Sequence, residues 1–465
     1  MTSSKDKSDG GPSSLAASHD DGREIPTRKL SIDDAPFGAF HRRLAIYSCG
    51  GPFCDGYILG IIAIALPALS KDLGLGPGST GLIAAASLIG MFIGGAFFGF
   101  LTDIVGRQVM YTLDLLLLVA GSAAQYWVHD SWVLFALRFV LGIAVGADYP
   151  IATALLSEFS PKRQRGMLLA AMIGAWWLGY TVSFVVGYAL STDDASPWRW
   201  MLASSAIPAA AVSLLRWGTP ESPRWLMSKG RAEEARALVH SHLGSQFEIE
   251  ELPPVRTEWR AIFRGHYVGR TLFVCIFWSC QVIPTFAIYT FAPDLLRALG
   301  ARNPTLGAAI ISLFFLFGVI PAMALVDRIG RRPVIIIPFA VTGMTLVLLG
   351  LIPSHSSIWV AACFIVFAIF NAGSSVLQWV YPSELFPTEV RATALGFGTS
   401  VSRIGAAVGT FFFPVGLLHL GVSTMMLIVG GFCFVGFVVS MAFAPETRGL
   451  SLAEASRSIG HSTGG

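Results

Sequence analysis

The 465 residues carry a formal net charge of +3, and only 13% of them are charged whereas 54% are hydrophobic. Soluble globular chains carry roughly 25% charged residues, so this composition excludes an ordinary soluble domain and indicates an integral membrane protein. The small net charge gives no electrostatic footprint for a nucleic-acid partner, and the mean hydropathy of +0.64 favours a lipid bilayer.

Residues 1–36 are rich in Ser, Asp, Gly and Lys and are predicted to form a disordered cytoplasmic tail. No short apolar segment with a small-residue cleavage site precedes the first long apolar stretch, so no cleavable signal is predicted. Segments of about 20 apolar residues then predict transmembrane helices. We predict twelve of them, at 43–69, 80–102, 108–128, 131–157, 164–190, 199–217, 269–299, 305–327, 333–352, 357–383, 389–420 and 422–444.

The predicted helices fall into two groups of six. Residues 37–217 form the first six-helix bundle and residues 269–444 the second. Between them, residues 218–268 form a polar cytoplasmic linker with amphipathic helices such as Ser228–His242. Residues 445–465 form a second cytoplasmic tail. Basic residues concentrate in alternate loops, which places both termini in the cytoplasm of a cell (inner or plasma) membrane.

The six cysteines all fall in apolar segments and lack paired metal-binding spacing. No phosphate-binding loop and no nucleophile–base pair at a water-accessible position is present, so no enzyme, metal or cofactor is predicted.

Short motifs recur between the two halves at nearly one offset, which predicts two bundles of the same topology. The pairs are Asp103-x-x-Gly106-Arg107 with Asp327-x-x-Gly330-Arg331, Ser157-Glu158-x-x-Pro161-x-x-x-Arg165 with Ser383-Glu384-x-x-Pro387-x-x-x-Arg391, and Pro220-Glu221-Ser222 with Pro445-Glu446-Thr447.

From about residue 40 to 450 the chain resembles the major facilitator superfamily, and within it the sugar-porter-like metabolite transporters. Besides the repeated motifs, the resemblance rests on Arg138-x-x-x-Gly142, Pro220-Glu221-Ser222-Pro223-Arg224-Trp225-Leu226 and Pro445-Glu446-Thr447-Arg448-Gly449. The seventh helix lacks the Gln-Gln-x-x-Gly pattern common in sugar-binding members, and Arg403 stands where typical hexose carriers have no arginine. Asp55-Gly56-Tyr57 and Arg403 are more similar to metabolite:proton symporters and the organic-ion branch.

The charged loop motifs are predicted to work as a conformational gate. Their residues lie at helix ends, where they can cap helices and pair with charges across the seam between the bundles. Gly95 and Gly99 are predicted to let the second helix approach a neighbour closely. The predicted gate residues are Asp103, Arg107, Glu158, Arg165, Asp327, Arg331, Glu384 and Arg391.

Two carboxylates inside the predicted spans are proton-coupling candidates. Asp55 lies about 18 Å into the first helix, near the membrane midplane, and the alternative is a permanent ion pair. Asp148 lies about 13 Å from the inner end of the fourth helix and is equally a candidate for a gating ion pair. Asp114 could be its neighbour, and with two like charges close together one of the two carboxyl groups is expected to hold a proton.

The substrate-binding candidates lie near mid-depth in both halves. Arg403 offers a planar guanidinium suited to a carboxylate or phosphate, and its alternative is a standing salt bridge. Arg138 is as readily a charge partner for another helix. The neutral candidates are Gln281, Tyr57, Tyr289, Asn371, Gln378 and Trp177, for which packing is the alternative role.

The sequence therefore predicts a secondary active transporter, a monomer, with H⁺-coupled symport of an organic acid or sugar acid by alternating access. A neutral sugar or polyol symporter and an uncoupled facilitator or exporter remain alternatives. A transporter-like nutrient receptor is a further class, against which the short C-terminal tail argues.

Overall fold

The computed structural model describes residues 30–31, 36–161, 164–191, 196–216, 221–244, 246–248, 259–265, 267–351, 357–386 and 388–448. Apart from two short strands, the regular structure of this part is helical. The first half contains α1 (Ala39–Asp72), α2 (Pro77–Val105), α3 (Arg107–Ala124), α4 (Ser131–Phe159), α5 (Arg165–Ala189), α6 (Pro197–Ala203) and α7 (Ala206–Arg216). The linker contains α8 (Pro223–Ser228) and α9 (Ala232–His242). The second half contains α10 (Tyr267–Thr290), α11 (Ala292–Ala298), α12 (Pro304–Ile329), α13 (Arg331–Leu351), α14 (Ser357–Ser374), α15 (Leu377–Leu385) and α16 (Thr388–Phe443).

Within the described residues, 9 helices are long and apolar enough to cross a membrane. The sixth predicted span is divided into α6 and α7, the seventh into α10 and α11, and the tenth into α14 and α15. The last two predicted spans run on as α16, whose backbone breaks at Gly421 with φ 77° and ψ 169°. Glycine adopts this positive φ without the steric penalty of other residues, so the chain can turn between two helical arms there. With these divisions the described helices account for all twelve predicted spans.

The interruptions of the sixth and tenth spans have local causes. Pro208 has no N–H to donate to the carbonyl of Ser204, so one helical hydrogen bond is missing there. In addition, the Ser204 hydroxyl donates to the Met201 carbonyl at 2.6 Å. In the tenth span Ser374 and Ser375 both donate their hydroxyls to carbonyls three residues back, at 2.8 and 2.6 Å. Side-chain hydroxyls of this kind compete with the helical hydrogen bonds, which favours a break.

Helices α2 and α4 pack backbone against backbone. A Cβ atom at Gly90 or Gly94 would overlap the carbonyls of Phe139 and Ile143 on α4, so only glycine permits this contact. The sequence predicts the close approach at Gly95 and Gly99. A Cβ atom at Gly95 would be in ordinary contact, 3.6 Å from the Gly146 carbonyl, so Gly94 rather than Gly95 makes the close approach, and the surroundings of Gly99 lie outside the described part of the structure.

The two halves contact each other mainly through two helix pairs, α2 with α16 and α5 with α12, and α1 also contacts α10 and α11. On α2, a Cβ atom at Gly81 would overlap the Phe411 carbonyl of α16. On α5, the Thr181 hydroxyl donates to the Ser312 carbonyl of α12 at 2.9 Å. The helices of residues 37–217 thus meet those of residues 269–444 along a continuous seam, while the predicted domain boundaries themselves stay a prediction.

The linker packs on the end of the molecule where α1 begins and α4 and α7 finish, which we call the linker end. Strand β1 (Leu30–Ser31) pairs in parallel with β2 (Phe247–Glu248). The ring centroids of Phe40 in α1 and His242 in α9 lie 4.9 Å apart. Of the predicted tails, 1–29, 32–35 and 449–465 lie outside the described residues.

Candidate functional site

Asp55 is a buried carboxylate in α1. Its side chain is 0% exposed, and neither carboxylate oxygen has a hydrogen-bond partner among the described residues. Its neighbour Gly56 holds α1 against α5, because a Cβ atom there would overlap the Trp176 carbonyl. Burying an unpaired carboxylate is costly, so such a group is expected to gain a proton or a partner when it leaves water.

The charged groups that act on Asp55 come from four other helices. They are Asp148 of α4, Asp114 of α3, Arg216 of α7 and Arg403 of α16. The first three belong to the same half of the chain as Asp55, whereas Arg403 belongs to the other half. Asp55 therefore lies where charges of both halves act on one ionisable group.

Asp148 is held in a buried ion pair with Arg216. The Arg216 Nη1 atom lies 3.0 Å from Asp148 Oδ1, and the two side chains are 3% and 0% exposed. The guanidinium also donates from Nε to the Tyr47 carbonyl at 2.9 Å and lies 3.6 Å from the Tyr111 ring centroid. Of the two roles that the sequence left open for Asp148, the ion pair is present in this structure.

Arg216 is a charged residue of this site that is not among the candidates predicted from the sequence. The available signal was an arginine at the end of the predicted span 199–217, because an arginine inside an apolar span is rare unless it is paired. Its partner Asp148 lies 68 positions away in the chain. Which helix faces meet could not be read from that separation.

Asp114 and Gly51 surround the ion pair. The carboxyl group of Asp114 lies within hydrogen-bonding reach of Asp148, which confirms the predicted proximity of the two carboxylates. A Cβ atom at Gly51 of α1 would overlap Asp148 Oδ2 and Arg216 Nη2. The missing side chain at Gly51 thus lets α4 and α7 bring the ion pair directly against α1.

Arg138 is a second buried arginine in the first half. It is 1% exposed and donates from Nη2 to the Ile58 carbonyl at 3.3 Å. Its Nε and Nη1 atoms have no partner among the described residues. Because Ile58 follows Asp55 by three residues, Arg138 lies about one helical turn from Asp55 along α1. Its predicted role in substrate contact stays a prediction.

The predicted amide candidates come together in the second half. Gln281 of α10 donates to the Asn371 carbonyl of α14 at 3.2 Å, and Gln378 of α15 donates to the Gln281 side-chain oxygen. Thr285 donates to Asn371 Oδ1 at 2.9 Å. These side chains form one buried polar cluster, the amide cluster, whose groups satisfy one another.

Aromatic side chains line the seam between the halves next to the amide cluster. Trp177 of α5 donates from Nε1 to Ser375 Oγ at 2.8 Å, and its ring centroid lies 4.8 Å from that of Phe315 in α12. The ring of Tyr289 lies 4.5 Å from Phe315, and its hydroxyl has no partner among the described residues. Tyr57 points elsewhere, since its hydroxyl is bonded to Ser204 Oγ at 2.8 Å within the first half.

Arg403 lies on the second-half side of the seam, in α16. Its side chain is buried, and its Cζ atom lies 5.7 Å from the Phe286 ring centroid of α10. The Phe286 ring in turn lies 6.3 Å from that of Trp176 in α5, edge to face. An always-charged guanidinium stacked on an aromatic ring at the meeting of the halves can bind a planar anion with two parallel hydrogen bonds.

At the linker end, repeated motifs of the second half converge on Arg331. Its guanidinium forms a forked ion pair with Glu384, with Nη2–Oε1 at 2.8 Å and Nε–Oε2 at 3.1 Å. The Thr447 hydroxyl donates to Glu384 Oε2 at 2.5 Å. Glu446 accepts the backbone N–H groups of Arg331 at 2.9 Å and of Arg332 at 3.1 Å, which caps the start of α13.

The first half repeats this capping arrangement. Glu221 accepts the backbone N–H of Gln108 at 3.1 Å at the start of α3. In both halves the carboxylate packs on a glycine with positive φ, 111° at Gly106 and 97° at Gly330, where a Cβ atom would collide with it. The Pro-Glu-Ser and Pro-Glu-Thr motifs, to which the sequence assigned no role, therefore fix the starts of α3 and α13.

The prediction considered Glu384 together with Arg391 at the seam between the bundles. Its partner in the structure is Arg331, in the same half, because α13 begins and α15 ends at the linker end, side by side. The side chains of the other gate candidates, Asp103, Arg107, Glu158, Arg165, Asp327 and Arg391, lie outside the described part of the structure. Their roles stay predictions.

Glu446 predicts a measurable pH dependence of stability. Burial by itself raises the pKa of Glu446, but four backbone N–H donors outweigh it and hold the pKa below its usual value of 4.5. A lowered folded-state pKa stabilises the fold above pH 4.5, and this contribution is lost as the pH falls through the folded-state pKa. In Glu446→Gln the midpoint of thermal unfolding in detergent should therefore fall less steeply below pH 4.5 than it does in wild type. An unchanged pH profile in this variant would contradict the capping role.

A cleft of about 400 Å³ opens at the end opposite the linker. Its walls come from both halves: Ser70 and Thr80 from the first, and Asp294, Arg297 and Leu418 from the second. The cleft therefore lies where the two halves meet at this end of the molecule.

Comparison with known proteins identifies the family. A family model described as sugar (and other) transporter matches residues 44–458. The chain belongs to this family. It is a multi-pass membrane metabolite transporter with the major facilitator superfamily fold, and not an enzyme.

Two relatives from Escherichia coli K12 match nearly end to end. The chain is 42% identical to the putative metabolite transport protein YaaU and 36% identical to the inner membrane metabolite transport protein YgcS. Each alignment covers 92% of this chain and 97% of the relative. Among solved structures, the fold is similar to the proton:xylose symporter XylE bound to 6-bromo-6-deoxy-D-glucose, with a TM-score of 0.71 and 22% identity over 90% of this chain and 98% of XylE.

Proposed function

We propose that this transporter carries a small organic acid or sugar acid together with a proton, by alternating access across a cell inner membrane. The observation that carries the proposal is a pair of buried groups, one from each half, whose charges act on each other. They are the Asp55 carboxylate in α1, which has no hydrogen-bond partner among the described residues, and the Arg403 guanidinium in α16. The first is a group that can take up a proton, and the second a group that can hold an anion.

Electrostatic competition between these groups couples the two cargoes. When Asp55 is ionised, its charge attracts Arg403 and opposes the binding of a second anion nearby. When Asp55 holds a proton, it no longer presents a negative charge to Arg403, and the attraction of Arg403 for the substrate carboxylate meets less competition. Proton and substrate therefore favour the same loaded state, which is the requirement for symport.

The forked Arg331–Glu384 pair supplies the inner gate in this proposal. It ties α13 to α15 at the linker end, and its rupture would let the ends of these helices move apart. With both termini in the cytoplasm, this end faces the cell interior and the cleft near Ser70 faces outward. The inner membrane itself is suggested by the name of the relative YgcS.

Arg403→Gln should weaken binding of a carboxylate substrate. A hydrogen bond to a charged group contributes about 1.5–3 kcal/mol, which corresponds to roughly a tenfold to hundredfold rise in KM. Initial uptake rates as a function of substrate concentration measure the change. Arg297→Gln is the matched control, because that arginine is exposed at the cleft and its ion pair within the described residues is with Asp294, three positions away. An unchanged KM in Arg403→Gln would refute the anion site.

A neutral sugar or polyol is the second candidate, favoured by the amide cluster. Gln281, Asn371 and Gln378 present the donors and acceptors that hydroxyl groups require. They are occupied with one another in this structure, so a sugar would have to replace those bonds. The name of XylE, a proton:xylose symporter, is consistent with this alternative.

Uptake into proteoliposomes decides between these cargoes. The full-length protein is reconstituted, and radiolabelled organic acids, sugar acids, neutral sugars and polyols are supplied with and without an imposed pH gradient. Accumulation of an acid above its equilibrium level, only when the outside is more acidic, is the expected result. Accumulation restricted to neutral sugars selects the second candidate, and equilibration without accumulation under any gradient rejects proton coupling.

A further inference from the structure

The buried charges of the first half do not balance. Among its described residues, the buried carboxyl groups are Asp55, Asp114 and Asp148, and the buried guanidinium groups are Arg138 and Arg216. With all five ionised, one negative charge remains uncompensated in a low-dielectric interior, which is costly. Arg403 of the second half also acts on Asp55 and can supply the missing positive charge, but once Arg403 binds an anion, one added proton is needed to neutralise the set. The arrangement therefore favours a single proton that these carboxyl groups share.

Two places can hold this proton, and α1 connects them. Asp55 and Gly51 are four residues apart, so they share one face of α1 and are separated by about 6 Å along its axis. Gly51 touches the Asp148–Arg216 ion pair, with no room for a Cβ atom. The Asp55 carboxyl group thus lies about one helical turn from the carboxylate of Asp148.

Asp114 makes the site around Asp148 a better proton acceptor than the Asp148–Arg216 ion pair would be alone. Its carboxyl group lies within hydrogen-bonding reach of Asp148, and a proton held between two neighbouring carboxylates relieves the repulsion of their like charges. Arg216 carries a single positive charge against the two carboxyl groups. One proton and one guanidinium together neutralise this pair.

We propose that Asp114 and Asp148 form a proton-accepting pair that exchanges one proton with Asp55, with Arg216 as their common counter-charge. In the transfer, the O–H bond of Asp55 breaks and an O–H bond forms on the Asp114–Asp148 pair, directly or through one water molecule that is neither gained nor lost. Asp55 is left as a carboxylate. This inference rests on the proposed proton coupling at Asp55 and adds its next step towards the linker end.

The direction follows from the positions along the helices. Asp114 lies seven residues from the start of α3 at the linker end, about 10 Å, and Asp55 lies sixteen residues from the start of α1, about 24 Å. The pair is therefore the nearer of the two to the linker end. Among the described residues, the other titratable side chains on which these groups act include Tyr111 of α3 and Cys54 of α1, and Arg216 also acts on Cys49 of α1.

We call this proton exchange between Asp55 and the Asp114–Asp148 pair the relay. It is tested by infrared difference spectroscopy of the full-length protein in liposomes, titrated with pH in the absence of substrate. The carboxylic-acid C=O stretching band is recorded for wild type, Asp55→Asn, Asp114→Asn and the double variant. Exposed carboxyl groups contribute alike to all four and cancel in the differences. We expect the loss of band intensity in the double variant to differ strongly from the sum of the losses in the two single variants, because two sites that share one proton titrate as a unit. Arg216→Lys, which keeps the positive charge, should retain the coupled titration.

Additive losses in the double variant, or a band that Asp114→Asn leaves unchanged, would overturn the relay. Transport separates this outcome from a failure of the proposed function. If wild type shows no accumulation driven by a pH gradient, the proposed coupling is wrong, whatever the titration shows. If accumulation is driven by the gradient and the losses are additive, Asp55 works without the pair and the relay alone is wrong.

Discussion

Asp55→Asn should abolish accumulation driven by a pH gradient while leaving exchange of substrate across the membrane. An asparagine has a similar shape but cannot take up a proton, so the bound proton no longer moves with the cargo. For one proton per substrate, a gradient of one pH unit is worth about 1.4 kcal/mol, or about a tenfold accumulation ratio. In the variant this ratio should fall to about one, measured as steady-state uptake into proteoliposomes.

Two further variants make this result specific. Asp55→Glu keeps an ionisable carboxyl group and should retain part of the accumulation. Asp130→Asn removes an exposed carboxylate that caps α4, where it accepts the N–H of Trp132 at 2.8 Å, and should leave the accumulation ratio unchanged. Full accumulation in Asp55→Asn would show that the proton is carried elsewhere.

Arg216→Met should be among the most destabilising single substitutions in the first half. It leaves Asp148 and its neighbour Asp114 buried without their cation, and removal of one partner from a buried ion pair costs about 3–5 kcal/mol. The measurement is the midpoint of thermal unfolding in detergent, together with the recovered fraction of monodisperse protein.

A surface ion pair provides the matched control. Arg236 pairs with Glu233 at 2.9 Å, but their side chains are 48% and 89% exposed. Because water screens such a pair, Arg236→Met should cost less than about 1 kcal/mol. The double variant Asp148→Asn/Arg216→Met removes both buried charges and should recover part of the loss. Equal effects of Arg216→Met and Arg236→Met would contradict the buried pair.

The helices and the repeated halves follow from the sequence because their causes are local. A stretch of about 20 apolar residues in a bilayer must satisfy its own backbone hydrogen bonds, and the helix is the structure that does so within one segment. The position of Gly421 between two apolar arms of α16 also marks a turn without any distant partner. Asp55 could be singled out in the same way, since a carboxylate within such a stretch is conspicuous on its own.

What only the tertiary structure decided is which charged side chains meet. Asp148 and Arg216 lie on α4 and α7, and Arg331 lies on α13 while Glu384 lies on α15. Each of these residues is visible in the sequence, but an ion pair depends on the rotation of two helices about their axes and on how closely they approach. Those quantities are set by packing, as where Gly51 leaves room for the Asp148–Arg216 pair against α1. Apolar length is a property of one segment, whereas the partner of a charge is a property of two.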